Sequence, residues 1–182
     1  MNYPERKDIR LKNYDYSRNG RYFITICTAD KICYLSDIVP QNVGDAALGI
    51  PDNNDIFVSP FIKLTEYGKI VCSNINKINQ IYKFVSVEKY VIMPDHIHLI
   101  LCVDYDESAG GRSGATSPTK SVPQIINGLK TISTKQIGFT IWQRSYYDRI
   151  IRSEKEYTEI CRYIDNNPIN WLNNIFDQNT WR

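Results

Sequence analysis

Only two histidines occur in the 182 residues, His96 and His98, and a single residue separates them. They lie in Tyr90-Val-Ile-Met-Pro-Asp-His-Ile-His-Leu-Ile-Leu-Cys-Val103, whose apolar, β-branched composition reads as a buried strand that Met93-Pro94-Asp95 leads into by a turn. Side chains alternate faces along a strand, so His96 and His98 point one way and Ile97 and Leu99 the other. Two imidazoles so close on one face can share a metal ion; the competing reading is a pair of hydrogen-bonded, half-buried histidines. A second pair stands near the C-terminus. Tyr163 and Asn167 are one helical turn apart and can both address a ligand on a facing sheet. Taken alone, they read more simply as a rim-packing aromatic and a helix cap before Pro168.

The elements that must position these residues are legible from periodicity. Residues 1–20 are a polar, basic arm (Arg6, Lys7, Arg10, Lys12, Arg18) ending at Asn19-Gly20. Residues 21–28, Arg-Tyr-Phe-Ile-Thr-Ile-Cys-Thr, form a core strand. Residues 36–60, with Pro40, Gly44, Gly49, Pro51 and Pro60, read as a loop with at most a short strand pair around Ile56-Phe57-Val58. Leu64, Val71, Ile75, Ile78 and Tyr82 recur at helical spacing and predict a helix over 65–82. Residues 84–93 are a strand antiparallel to the histidine strand, and residues 104–120, rich in Gly and Ser, predict a flexible loop. Ser121-Val-Pro-Gln124 opens a helix with a buried stripe of Ile125, Ile126, Leu129, Ile132 and Ile137, closed by Gly138. Residues 141–151 read as a further strand. Ser153-Glu-Lys-Glu156 starts a helix that Asn167-Pro168 ends, because the residue before proline is pushed out of the α region. Its apolar face is Tyr157, Ile160, Cys161 and Ile164. The order predicts an α+β fold, a ferredoxin-like sandwich with a mostly antiparallel central sheet. The histidine pair sits on a central strand and the tyrosine on the C-terminal helix.

Composition narrows the class. The length fits one domain, residues 1–182, able to bury a core without staples. Five scattered cysteines without a Cys-x-x-Cys pair argue for reduced thiols in a cytoplasmic protein rather than a disulfide framework or zinc site. No apolar run approaches the roughly 20 residues that span a bilayer, and the N-terminus lacks the apolar region of a signal peptide. No membrane partner is expected. A net charge of +2 creates no global basic field, so any nucleic-acid contact must come from a local patch. Lys130, Lys135, Arg144, Arg149, Arg152 and Arg162, interleaved with Trp142, Tyr146 and Tyr147, are the candidates for phosphate contact and base stacking.

Tyr-Val-Ile-Met-Pro-Asp-His-Ile-His, followed by Trp-Gln-Arg-Ser-Tyr-Tyr-Asp-Arg-Ile-Ile-Arg and Tyr-Ile-Asp-Asn-Asn-Pro, resembles the single-tyrosine transposases of the HUH class. The nearest branch is the REP-associated tyrosine transposases. The likeness extends over Tyr14–Thr28 and leaves out only the 36–60 and 104–120 loops. It implies that His96 and His98 are paired metal ligands and that Tyr163 is a nucleophile. It also implies Asn167 as third ligand, where insertion-sequence relatives carry a glutamine. The implied cofactor is a divalent metal, Mg²⁺ or Mn²⁺, and the implied substrate is single-stranded or hairpin DNA, cleaved and rejoined through a 5′-phosphotyrosine bond. The working unit implied is a monomer, as in the REP-associated branch, or a homodimer with exchanged site residues, as in the insertion-sequence relatives. Tyr146 and Tyr147 are rival nucleophiles. The rival functions are a repeat-DNA-binding protein that has lost transposition and a nuclease in which water attacks in place of Tyr163.

Overall fold

The computed structural model describes residues 15–16, 18–42, 58–104 and 120–179; most of the basic arm and, but for its two end residues, the expected flexible loop at 104–120 lie outside them. Six strands and three α-helices follow in the order β1 Gly20–Cys27, β2 Ser36–Asn42, β3 Val58–Leu64, α1 Glu66–Ile81, β4 Val85–Ile92, β5 His96–Val103, α2 Val122–Ile137, β6 Tyr147–Ile151 and α3 Glu154–Asn179. The central sheet has the order β4-β5-β1-β6, and each neighbouring pair is antiparallel. Strand, helix, strand, strand, helix, strand wound in this order is the expected ferredoxin-like α+β arrangement, and it puts β1 and β5 in the middle.

Alternation along the two middle strands sorts the layers. Tyr22, Ile24 and Ile26 of β1 and Ile97, Leu99 and Leu101 of β5 are fully buried on one face. There they pack with Val71 and Ile75 of α1 and Ile125 and Ile126 of α2. The other face carries Phe23 and Ile100, covered by Ile160 and Ile164 of α3 and by Ile38 and Ile62 from β2 and β3. Local signals fix the helix ends. Thr65 caps α1, its Oγ1 accepting from the Gly68 N–H at 3.0 Å. Ser121 and Gln124 form the capping box of α2, and Gly138 ends it at φ 94° in the left-handed region. Asn74 of α1 donates to Ser133 (3.2 Å) and Gln136 (2.7 Å) of α2, which satisfies buried polar groups between the helices.

Four expectations are corrected. The 36–60 segment is not merely a loop: β2 and β3 form a separate two-stranded ribbon in which Pro40 faces Pro60. A two-stranded ribbon has two free edges, so a proline is tolerated wherever its missing N–H would have pointed outward. The expected pairing site at Ile56-Phe57 lies outside the described residues. Ile132 does not belong to the buried stripe of α2; it is 43% exposed, and Ser133 takes the inward position. Only Tyr147–Ile151 of the expected 141–151 strand is regular, with Trp142 making an isolated bridge to Thr28. Ile141, Trp142 and Tyr146 turn into the core instead. Finally, α3 does not stop before Pro168 but runs to Asn179. Proline removes the hydrogen bond to the preceding turn. The following turn, however, carries Trp171 and Leu172 onto the protein body, and Leu172 is buried. That burial holds the helix across the missing bond.

Gly68 shows how closely α1 meets the segment before β2. A Cβ there would fall 1.9 Å from the Leu35 carbonyl oxygen, which also accepts from Thr65 N at 3.0 Å and Thr65 Oγ1 at 3.1 Å. Alanine is ordinarily the better helix former by about 1 kcal/mol. At this position the sign should reverse: Gly68→Ala is expected to destabilise by about 1–3 kcal/mol through overpacking, seen as a lowered urea midpoint.

Candidate active site

The pairing of β1 with β5 sets Cys27 opposite His96 and Thr25 opposite His98. The two imidazoles share a sheet face, their ring centres 4.6 Å apart and their planes at 69°. Each ring is held through Nδ1. Thr25 Oγ1 lies 2.8 Å from His98 Nδ1, and Asp95 Oδ1 meets His96 Nδ1. A carboxylate at Nδ1 fixes the proton on that nitrogen and leaves the Nε2 lone pair of His96 available, the arrangement that orients histidines as metal ligands. Asp95 is buried, and its second oxygen is 3.4 Å from Lys31 Nζ. Phe23 stacks on the His98 ring at 5.2 Å, and Trp171 lies 6.3 Å from the His96 ring. His98 is 4% exposed. Its burial, with His96 and Lys31 adding to the effect, pushes its pKa down to about 3, so the ring is neutral at ordinary pH.

The C-terminal helix brings the tyrosine to this face. Ser153 Oγ accepts from Glu156 N at 3.2 Å at its start, Ile160 and Ile164 seat it on the sheet, and Lys89 of β4 pairs with Asp165 at 2.7 Å. Tyr163 then stands with its ring 5.2 Å from that of His98 and edge-on to Phe23 at 6.0 Å. Its Oη is 3.4 Å from His98 Nε2, a long hydrogen bond. Tyr163 remains 48% exposed, so solvent or a ligand can reach the hydroxyl. Asn167 is buried, one turn further on. Because α3 continues past Pro168, Asn167 is an interior helical residue and not a C-cap.

Among the described residues, no group of three His, Cys, Asp or Glu side chains could hold a metal ion. A cation at the two histidines would therefore draw its further ligands from a neutral amide or from substrate and water oxygens. Two imidazoles, each with its Nδ1 occupied, fit such a mixed nitrogen and oxygen set.

The remaining candidates divide. Thr25 is also the register partner of Tyr147, so one row across the sheet reads Val91, His98, Thr25, Tyr147 on the site face. Tyr147 is 54% exposed at the edge strand. Arg149, whose Nε pairs with Glu156 at 2.7 Å, is two residues along the same face. Arg144, Arg152 and Arg162 are exposed, Arg162 next to Tyr163 on α3. Trp142 and Tyr146 are corrections: at 4% and 3% exposure they are core residues of the α1/α2 layer and offer no stacking surface, nor can Tyr146 act as nucleophile from there. Lys130 is another. Its Nζ donates to the carbonyls of Gln143 (2.6 Å), Arg144 (3.1 Å) and Ser145 (3.4 Å), fastening the irregular segment before β6. Lys135 is exposed on α2, across the sheet from the histidines.

Sequence reasoning missed Thr25, Phe23, Lys31 and Trp171. They join the site through strand register, the turn after β1 and the continuation of α3, none of which a linear pattern displays. Asp95 was visible beside His96 but was read only as a turn residue.

The depressed pKa of His98 has a measurable consequence. Between its ordinary 6.5 and the folded value near 3, the unfolded chain takes up a proton that the folded chain refuses. Stability of the chelator-treated protein should therefore be flat in this respect above pH 6.5 and fall as the pH is lowered, by up to about 1.4 kcal/mol per pH unit from this group. His98→Gln should show a shallower slope in urea midpoints between pH 7 and pH 5.

No protein-family model matches the chain. An uncharacterised protein of Haemophilus influenzae (strain ATCC 51907 / DSM 11121 / KW20 / Rd) is 33% identical over 182 residues, spanning 91% of this chain and 89% of that one. From the same organism, a protein named "Putative REP-associated tyrosine transposase" is 26% identical over 165 residues, spanning 87% of this chain and 77% of that one. Among solved structures, a REP-associated tyrosine transposase bound to a REP hairpin superposes with a TM-score of 0.55 at 18% identity, covering 88% of this chain and 73% of that one. That likeness shows a shared fold. The chain therefore belongs to one family with the first Haemophilus protein; it is similar in sequence to the second and in fold to the hairpin-bound transposase.

Proposed function

We propose that this protein is a DNA strand-cleaving and strand-joining enzyme acting on single-stranded, hairpin-bearing DNA, with Tyr163 as the nucleophile. The observation that carries the reading is the approach of Tyr163 Oη to within 3.4 Å of His98 Nε2, with the hydroxyl's residue half exposed. Attack of Oη on phosphorus would form an O–P bond and break the P–O3′ bond, leaving a 5′-phosphotyrosine and a free 3′ end. The energy of the phosphodiester is kept in the covalent link, so rejoining needs no nucleotide cofactor. A phenol must lose its proton to react as a nucleophile, and His98 is held neutral, able to accept a hydrogen bond from it.

His96 and His98, with Asn167, would hold Mg²⁺ or Mn²⁺, which when bound supplies positive charge to the phosphate and orients it. The Nε2 lone pair that faces Tyr163 is also the one a cation would take, so occupation of His98 and release of the phenol hydroxyl are linked. Thr25 and Asp95 orient the two rings, Phe23 packs against both His98 and Tyr163, and exposed Tyr147 offers a stacking surface on the same face. Arg149, Arg152 and Arg162 would contact phosphates. Tyrosine and histidines of one chain already face each other, which supports a monomer with its site complete in cis. The solved relative bound to a REP hairpin supports a structured strand as the ligand class.

The test is incubation with single-stranded hairpin DNA and Mn²⁺, followed by denaturing electrophoresis. Wild-type protein should give a covalent adduct. Tyr163→Phe should give none while keeping DNA affinity, and its stability should change by no more than about 1 kcal/mol, the scale of one net hydrogen bond. Cleavage without an adduct would favour water as nucleophile, and binding without cleavage would favour a repeat-DNA binder. The shared lone pair gives a separate expectation for calorimetry: Tyr163→Phe should bind Mn²⁺ as tightly as wild type or up to about fivefold more tightly, whereas His96→Ala should bind it far more weakly.

A further inference from the structure

Between β1 and β2 the chain makes a short 3₁₀ turn, Ala29–Lys31, in which Asp30 (φ 51°) and Lys31 (φ 57°) are both left-handed. Among the described residues these are the positive-φ positions not held by glycine. Two consecutive side-chain-bearing residues in this region are costly, and such strain persists only where the surroundings enforce it. The enforcement is visible. Thr28 N donates to Asp95 O at 2.9 Å, Thr28 Oγ1 lies 2.9 Å from Asp95 O and 2.8 Å from Ile32 O, and Ala29 N donates to Ile141 O at 2.8 Å. None of the turn's own side chains is buried, so core packing does not account for the strain. What the turn does is aim Lys31. Its ammonium reaches Asp95 Oδ2 at 3.4 Å while its side chain stays 57% exposed, and the other Asp95 oxygen holds His96. An ammonium has three N–H donors, which Asp95 and the neighbouring Cys27 sulfur share with solvent at this exposed side chain.

We propose that Lys31 is a DNA-phosphate contact at the mouth of the histidine pair, held there by the left-handed turn and steadied by Asp95. This rests on the DNA-cleaving reading of the site and adds to it a residue that the linear motifs do not contain. The strand would run across the exposed ammonium with its phosphate charge met on one side by Lys31 and on the other by the cationic side chains of β6 and α3. Asp95 then serves both ends, orienting His96 and keeping the flexible lysine stem from wandering.

The test is fluorescence anisotropy of a labelled single-stranded hairpin oligonucleotide over a range of salt, with Mn²⁺ affinity and thermal melting measured on the same proteins. Lys31→Met should bind at least tenfold more weakly at low salt, and the slope of log K against log salt should fall by about one contact. Lys31→Arg should restore most of the affinity. Lys31→Gly should lose DNA affinity like Lys31→Met yet melt no lower than wild type, because glycine takes the left-handed conformation without strain. Unchanged affinity and slope in Lys31→Met would overturn the proposal. So would a loss of DNA affinity matched by equal losses of Mn²⁺ affinity and melting temperature, since that marks a structural prop for His96. Binding is read without cleavage, so a missing covalent adduct would count against Tyr163 as nucleophile and leave the Lys31 result standing.

Discussion

The antiparallel pairing of β1 with β5 is the constraint on which the site depends. That one ladder sets Thr25 opposite His98 and Cys27 opposite His96. The alternating partners Ile24 and Leu99 are pinned in the opposite, fully buried layer. A slip of one residue would exchange the two faces, sending both imidazoles into the α1/α2 core and Leu99 and Ile97 outward. The apolar face thus fixes the polar one. The histidines need no dedicated scaffold because burial of Tyr22, Ile24, Ile26, Ile97, Leu99 and Leu101 already enforces their register.

The second requirement is that α3 lie over the polar face without sealing it. Ile160 and Ile164 anchor the helix against Ile100 and Val91, and the Lys89–Asp165 pair ties it to β4. An exposed ion pair adds little stability, so the anchoring is chiefly apolar. Tyr163 falls on the flank of that seam, which explains how it can touch His98 and still be half exposed. Asn167, one turn later, is buried, and α3 continues past it through Pro168. The same continuation brings Trp171 beside His96.

The site is also asymmetric in how its two rings are held. Asp95 gives His96 an anionic partner that Lys31 partly balances, whereas His98 has a neutral hydroxyl and a phenol. A neutral partner and deep burial together disfavour charge on His98, and the phenol gains an acceptor that stays uncharged. Metal ligation and acceptance of the phenol's hydrogen bond ask the same thing of this ring, a free and uncharged lone pair.

The chain's own pattern determined a good deal. Alternation in β1, β4 and β5, the helical stripe of α1 and the capping box of α2 are local properties, set by side-chain period and backbone hydrogen bonding within a few residues. For the same reason His96 and His98 could be assigned to one face, and Tyr163 and Asn167 to successive turns, before any contact was known. Tertiary structure decided what depends on partners distant in sequence. Pro40 and Pro60 looked like breakers until each proved to face the other in a ribbon with free edges. Pro168 looked like a helix end until burial of the following turn outweighed one lost hydrogen bond. Trp142, Tyr146 and Lys130 looked like a nucleic-acid surface because composition cannot distinguish an aromatic or a cation turned inward from one turned out. Thr25, Phe23 and Lys31 carried no linear signal at all: register and a strained turn bring them to the histidines, and both are set by the summed packing of the whole sheet rather than by any stretch of the chain.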